Sequence, residues 1–286
     1  MVAIPGQTVG LAASLFKVRG PTYTFTSTCS SGAVAIGHAM REIQSGELDL
    51  ALATGHEASL VAPLFAMYRD AGLISAEQED ARRAVMPYIG HSANAFGEGA
   101  VTLVLEDREY AERRGANILG VMAGYSYGNN GHHPTAIDIL GLRPAEVIER
   151  MLDRADVVRD DVSFVVGHGN GVRRSDVSEE NYMRRLFGRK AAEVPLISIK
   201  PIYGHNLGAS SAMNAAAAIM MVHHDYVVPT INIDASAGRR VTEHQAREGT
   251  ARPCGVGVAM SYGMGGQNAA LLVKKAEAVC EDRLAG

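Results

Sequence analysis

A cysteine in "TFTSTCSSGAVAIGHAM", Thr24 to Met40, and two glycine-flanked histidines, His168 in "VVGHGNGV" and His205 in "KPIYGHNLGAS", are the residues here best equipped for chemistry. A cysteine attacks as its thiolate, and a sulfur at a helix N-terminus, facing unpaired backbone N–H groups, is expected to ionise more readily. Cys29 fits that placement. Ser30, Ser31, Gly32 and Ala33 follow it and are small enough for an acyl chain or a partner backbone to come close. Taken alone, the stretch also fits a packing cysteine in a tight junction. Both histidines follow apolar runs, a position that aims a side chain from a strand end into a crevice. A cysteine with two such imidazoles points to thioester or acyl-transfer chemistry. Lys200 and Glu179 flank the histidine loops and are read as a buried pair holding them in register, with solvated charges as the alternative.

The elements that must position these groups alternate. "TYTFTST" has the content of a strand, and "SSGAVAIGHAMREIQSG" reads as a sharp turn and a helix ending at Gly46. "LDLALATG" is a near-continuous apolar strand of the kind covered on both faces. Strands "AVTLVLED" and "ILGVMAGY" flank the charged helix "REYAERRG", and "RPAEVIERMLDRA" is an amphipathic helix with Pro in its first turn. Strand "VSFVVGHG", helix "SEENYMRRLFG", strand "PLISIK", helix "LGASSAMNAAAAIMMVHH" and two strands within "GVGVAMSYGMGGQNAALLVKK" follow. The alternation predicts an α/β architecture with helix layers around mixed sheets. Cys29 and His205 each stand between a strand and a helix rich in glycine and alanine, a hint of internal duplication.

Composition narrows the class. The 286 residues, 47% hydrophobic, suffice for a sizeable core. A net charge of -4 and a pI near 6.2 offer no basic excess for nucleic acid. No apolar run reaches the roughly 18 residues that span a bilayer, and no secretory signal pattern opens the chain, so a cytosolic protein is expected. Three cysteines cannot all pair. Cys280 reads as incidental to the charged tail, and Cys254 as a packing residue before a strand.

Taken together, four motifs in order resemble the β-ketoacyl synthases, condensing enzymes of the thiolase-like superfamily. "TSTCSSGA" resembles their nucleophile elbow, "HGNGVRRSDVSEE" their HGTGT…D..E loop, "KPIYGHNLGAS" their K…GH..GA segment and "SYGMGGQNA" their SFGFGG.NA signature. "SANAFGEGAVTLVLE" resembles a further shared strand, so the likeness runs from about Pro21 to Lys274. The resemblance implies a layered α/β/α/β/α fold with mixed sheets, one domain whose halves are 1–115 and 116–275, with a tail at 276–286. It implies decarboxylative condensation of an acyl thioester with a malonyl thioester. Cys29 would carry the acyl group, His168 and His205 would stabilise the enolate, and Lys200 with Glu179 would support them. Gly263 and Met264 would line the substrate site, the N–H groups of Cys29 and Met264 forming an oxyanion hole. No metal or organic cofactor is implied, because substrates ride on the phosphopantetheine of an acyl carrier protein. A homodimer, or a heterodimer with a second ketosynthase-like subunit, is the implied assembly.

Departures from the family pattern carry their own expectations. Asn170 and Val172 occupy two threonine positions that face the phosphopantetheine arm in relatives, and Val172 cannot hydrogen-bond. That keeps open a coenzyme A-dependent acyltransferase. Met264 stands where relatives carry a gating Phe, which implies a broader or longer acyl range. Two βα units, on the order of a hundred residues, precede the nucleophile strand in relatives. Their absence ahead of Cys29 suggests a fragment, a misplaced start or a partner that supplies them, and leaves a non-catalytic chain-length-type subunit as a third reading. His132 and His133 are read as loop residues rather than metal ligands, His223 and His224 as helix-closing, and His38 as a satisfied core residue.

Overall fold

The computed structural model describes residues 6–77, 79–89, 93–131, 133–233 and 246–276. Its elements are α1 (Gln7–Phe16), α2 (Ser31–Gln44), β1 (Leu50–Glu57), α3 (Ala62–Asp70), β2 (Gly99–Glu106), α4 (Arg108–Arg113), β3 (Val121–Asn129) and α5 (Leu142–Arg154). They continue with β4 (Phe164–Val166), α6 (Arg173–Phe187), β5 (Leu196–Ile197), α7 (Lys200–Tyr203), α8 (Ser210–His224), β6 (Tyr226–Val227), β7 (Thr250–Ala251), β8 (Val256–Gly263) and β9 (Gln267–Lys274).

A mixed five-stranded sheet, order β3-β9-β8-β4-β5, forms the centre. Strand β9 lies antiparallel to β3 and β8, whereas β4 runs parallel to β8 and β5. Its central strands are buried on both faces, which is why "AALLV" and "VGVAMSYG" show no polar alternation. On one face Val147, Ile148, Met151 and Leu152 of α5 pack with Tyr182, Met183 and Leu186 of α6. On the other, Ala33 and Ile36 of α2 meet Ala212, Ala215 and Ala218 of α8. The antiparallel pair β1–β2 closes over those two helices, its register running from Leu50↔Glu106 to Glu57↔Gly99. Four layers of the expected five are therefore present: helices, five strands, helices, two strands. Among the described residues nothing covers the outer face of β1–β2, where Leu52 is 37% and Val104 55% exposed.

Several expectations need correction. "TYTFTST" is not a strand: residues 21–27 pair with no neighbour among the described residues, and β-propensity makes a strand only where a ladder partner exists. Tyr23 and Phe25 instead bracket the ring of His38, with centroids 4.5 and 5.1 Å away. His38 is thus half-buried beneath two aromatics, 3.6 Å from Glu42, not a core residue. Helices α1 and α3 were not foreseen; neither shows a sharp apolar stripe, and only Tyr68 of the two is buried. Cys254 is buried ahead of β8, as read, and His223 and His224 do close α8. Cys280 and His132 lie outside the described residues. His133 ties its own loop, its Nδ1 accepting from the N–H groups of Thr135 and Ala136.

Candidate active site

Cys29 sits in a single 3-10 turn, Thr28–Ser30, that runs directly into α2. Thr28 is left-handed at φ 49, a sterically costly state for a β-branched residue. Neighbours hold it there. Its hydroxyl donates to the carbonyls of Ser27 (2.8 Å) and Met264 (3.1 Å), and the Ser27 N–H donates to Ser31 Oγ at 2.8 Å. Gly263 presses against the turn so closely that a Cβ there would lie 2.3 Å from Thr28 Oγ1.

The second elbow repeats the first. Leu207, left-handed at φ 37, opens the 3-10 turn Leu207–Ala209, which runs into α8. The two elbows abut. The N–H of Ala33, near the start of α2, donates to Ser211 Oγ on α8 at 2.8 Å, satisfying a donor that the helix cannot. A Cβ on Gly32 would sit 2.8 Å from both the Cβ and the backbone N of Ala212. The hint of duplication is thus realised as a shared geometry.

These contacts bring the predicted residues together. His205 Nε2 lies 3.1 Å from Cys29 Sγ, and its Nδ1 lies 2.9 Å from Ser210 Oγ. The His168 ring stands edge-on to His205, centroids 5.2 Å apart at 83°. The backbone N–H of Tyr262 donates to His168 Nδ1 at 3.3 Å, so the neutral ring carries its proton on Nε2. Burial, reinforced by Lys200, holds both imidazoles well below their ordinary pKa, and both are therefore neutral.

Lys200 and Glu179 are both buried, yet they do not pair directly. They clamp one peptide from two sides: Lys200 Nζ donates to the His168 carbonyl, while Glu179 accepts from the N–H groups of His168 (2.5 Å) and Gly169 (2.8 Å). Burial lowers Lys200 to about 8, against the opposing pull of Glu179, Cys29 and Asp176. Asn214 adds a strut, its amide donating to the carbonyls of Gly167 (3.0 Å) and Met260 (3.1 Å).

The sulfur departs from expectation. Burial pushes the Cys29 thiol up to about 11, outweighing the lowering by Lys200 and by the backbone hydrogen bond at Cys29 itself, and Glu57 raises it slightly further. The residue is 7% exposed, so loss of water around the thiolate exceeds what the short turn supplies. At rest the site holds a neutral thiol beside a neutral imidazole.

Asn170 is buried and spends its side-chain carbonyl inside the loop, accepting from the Val172 N–H (3.1 Å) and Ser175 Oγ (2.6 Å). Val172 directly precedes α6 and is half-buried. Met264 is 36% exposed, with its carbonyl on Thr28. Sequence reasoning missed Tyr88, Ser210, Ser211, Asn214 and Tyr262. Asp176, three residues before Glu179 on one helix face, stood in plain view in "RRSDVSEE".

The paired elbows, the mixed sheet and the buried cluster of Cys29, His168 and His205 define a thiolase-like α/β fold. "Beta-ketoacyl synthase, N-terminal domain" matches residues 3–111 and "Beta-ketoacyl synthase, C-terminal domain" residues 119–234. The chain belongs to the β-ketoacyl synthase family. It is 30% identical over 271 residues to a putative polyketide beta-ketoacyl synthase 1 of Streptomyces halstedii, covering 94% of this chain and 64% of the relative. It is 31% identical over 281 residues to 3-oxoacyl-[acyl-carrier-protein] synthase 2 of Rhizobium meliloti (strain 1021), covering 95% and 66%. Among solved structures, a type II polyketide ketosynthase bound to a hexaketide and in complex with its acyl-carrier protein superposes with a TM-score of 0.88. That match has 27% identity over 94% of this chain and 66% of the other. The chain thus spans slightly under two thirds of the length of these relatives.

Proposed function

We propose that this protein is a β-ketoacyl synthase of fatty-acid or polyketide assembly, acting on thioesters carried by an acyl carrier protein. The observation that carries the reading is the 3.1 Å contact of Cys29 Sγ with His205 Nε2, with a second neutral imidazole edge-on beside it.

In the first step the sulfur attacks the incoming thioester carbonyl and its proton passes to His205 Nε2. Burial disfavours an imidazolium, so the proton moves on to the departing phosphopantetheine sulfur, and acyl-Cys29 remains. In the second step the Nε2–H groups of both histidines donate to the malonyl thioester oxygen. Carbon dioxide departs and leaves its electron pair as an enolate. That carbon bonds to the acyl carbonyl, the C–S bond to Cys29 breaks, and the released thiolate takes the His205 Nε2 proton, which solvent water replaces on the ring, so that the neutral thiol is restored. The N–H groups of Cys29 and Met264 stabilise the oxyanion on the way.

His205 must accept in one step and donate in the other, and Ser210 permits both. A hydroxyl can accept from Nδ1–H or donate to Nδ1. His168, facing a backbone N–H, cannot switch and serves only as a donor. Lys200 and Glu179 hold the loop that carries it. Gly263 and Met264 border the acyl group, Val172 meets the carrier arm, and Asn170 shapes the loop behind it. The chemistry calls on no metal or organic cofactor, since loss of the carboxylate drives it. A homodimer or a pairing with a second ketosynthase-like subunit, in the cytoplasm, completes the reading.

Intact-protein mass spectrometry after mixing with an acyl-carrier thioester tests the proposal. We expect one acyl adduct on the wild type and none on Cys29→Ala. An adduct formed equally well from a coenzyme A thioester alone would shift the reading to a coenzyme A-dependent acyltransferase. No adduct from either donor would overturn both and favour a non-catalytic subunit.

A further inference from the structure

Tyr88 lies 80 residues before the histidine it serves, and it adds polar contacts with two carboxylates to its place in the hydrophobic core. It is fully buried and left-handed at φ 67, a conformation that bulky L residues rarely adopt. Two buried carboxylates of α6 hold it there. Its N–H donates to Asp176 Oδ2 at 2.9 Å, and its hydroxyl donates to Glu179 Oε2 at 3.0 Å.

The hydroxyl stands at the base of the His168 loop. A Cβ on Gly167 would lie 2.7 Å from it, and one on Gly169 2.5 Å. Glu179 receives four donors in all: the N–H groups of His168 and Gly169 and the hydroxyls of Tyr88 and Tyr182. The carboxylate that aims the His168 peptide is thus itself aimed by the Tyr88 phenol. Burial, then the nearby Glu179, keeps that phenol protonated far above neutral pH, so it is a permanent donor.

We propose that Tyr88 is a positioning residue for His168, acting through Glu179 to fix the direction of the His168 Nε2–H. The inference rests on the ketosynthase reading for its kinetic consequence and on geometry alone for its structural one. Acyl loading uses Cys29 and His205, whereas decarboxylation needs His168 as well. A residue that aims only His168 affects the second half-reaction and spares the first. A residue that merely fills space affects neither or both.

The experiment compares wild type, Tyr88→Phe and a variant with 4-aminophenylalanine at position 88, which restores a donor in the same place. Acyl loading is read by mass spectrometry, carbon dioxide release from a malonyl-carrier thioester by rate, and the His168 ring nitrogens by 15N NMR of histidine-labelled protein. We expect Tyr88→Phe to load acyl within twofold of wild type and to lose at least tenfold in decarboxylation kcat, with KM within twofold. Its His168 signals should move from the Nε2–H tautomer toward a mixture, and the amino variant should recover most of the rate. Unchanged His168 signals in Tyr88→Phe overturn the proposal, as does equal loss of both half-reactions. Should Tyr88→Phe fail to fold, the amino variant decides: wild-type His168 signals sustain the proposal, and mixed-tautomer signals overturn it. A wild type that neither loads nor decarboxylates would sink the ketosynthase reading, while the ring signals still judge Tyr88.

Discussion

The neutral thiol of Cys29 beside the neutral ring of His205 sets how this sulfur meets reagents. An ordinary thiol titrates near 9.0, and burial carries this one to about 11. A raised thiol pKa means fewer thiolates at every pH below it. At pH 8 the two-unit difference leaves about a hundredfold less thiolate than a free cysteine has. Iodoacetamide alkylation of Cys29, followed by peptide mass spectrometry, should keep climbing beyond pH 10, where a free thiol has levelled off, and reach half its plateau near pH 11. A plateau at or below pH 8.5 would mean that the turn and Lys200 outweigh burial. The signs differ for Lys200, whose burial lowers it to about 8. Its charge is lost as pH rises through that value, and its lowering influence on Cys29 goes with it.

The two elbows depend on how closely α2 and α8 approach. Gly32 and Ala212 leave no room for a branched side chain, since even one added Cβ would meet backbone at 2.8 Å. Gly32→Val should therefore lower stability by about 1–3 kcal/mol, read as a lower urea midpoint, and separate Cys29 from His205 as well. A midpoint equal to wild type would show that the helix pair can open without penalty. Much of this arrangement could be read from residue order. The small-residue runs after Cys29 and His205 announce close helix packing, and the unbroken apolar strands announce a doubly covered sheet. Other parts left no local trace. "TYTFTST" has strand composition but no partner to pair with, and composition cannot report a missing neighbour. Tyr88 meets Glu179 across 91 positions, and a contact formed only by the fold leaves no periodicity to find. The raised pKa of Cys29 was hidden for the same reason: its cause is the surrounding burial, and the helix start points the other way.

The layers differ in how well each is buttressed. Strands β8 and β9 are buried on both faces, whereas β1–β2 is a two-stranded sheet with one face bare among the described residues. Two-stranded sheets are marginal, and their amides open by local fluctuation more readily than those of a buried core. Hydrogen exchange should show amides of Leu50–Glu57 and Gly99–Glu106 exchanging at least tenfold faster than those of Val258–Tyr262 and Ala269–Val273. Equal protection in both groups would show that the small sheet opens only with the fold as a whole. The elbows have a different consequence, since they lie far apart in sequence. The sulfur and its imidazole are 176 residues apart in sequence. A growing polypeptide therefore presents its thiol long before a base exists to serve it, and the pair comes into being only when the later-made helix settles against the earlier one.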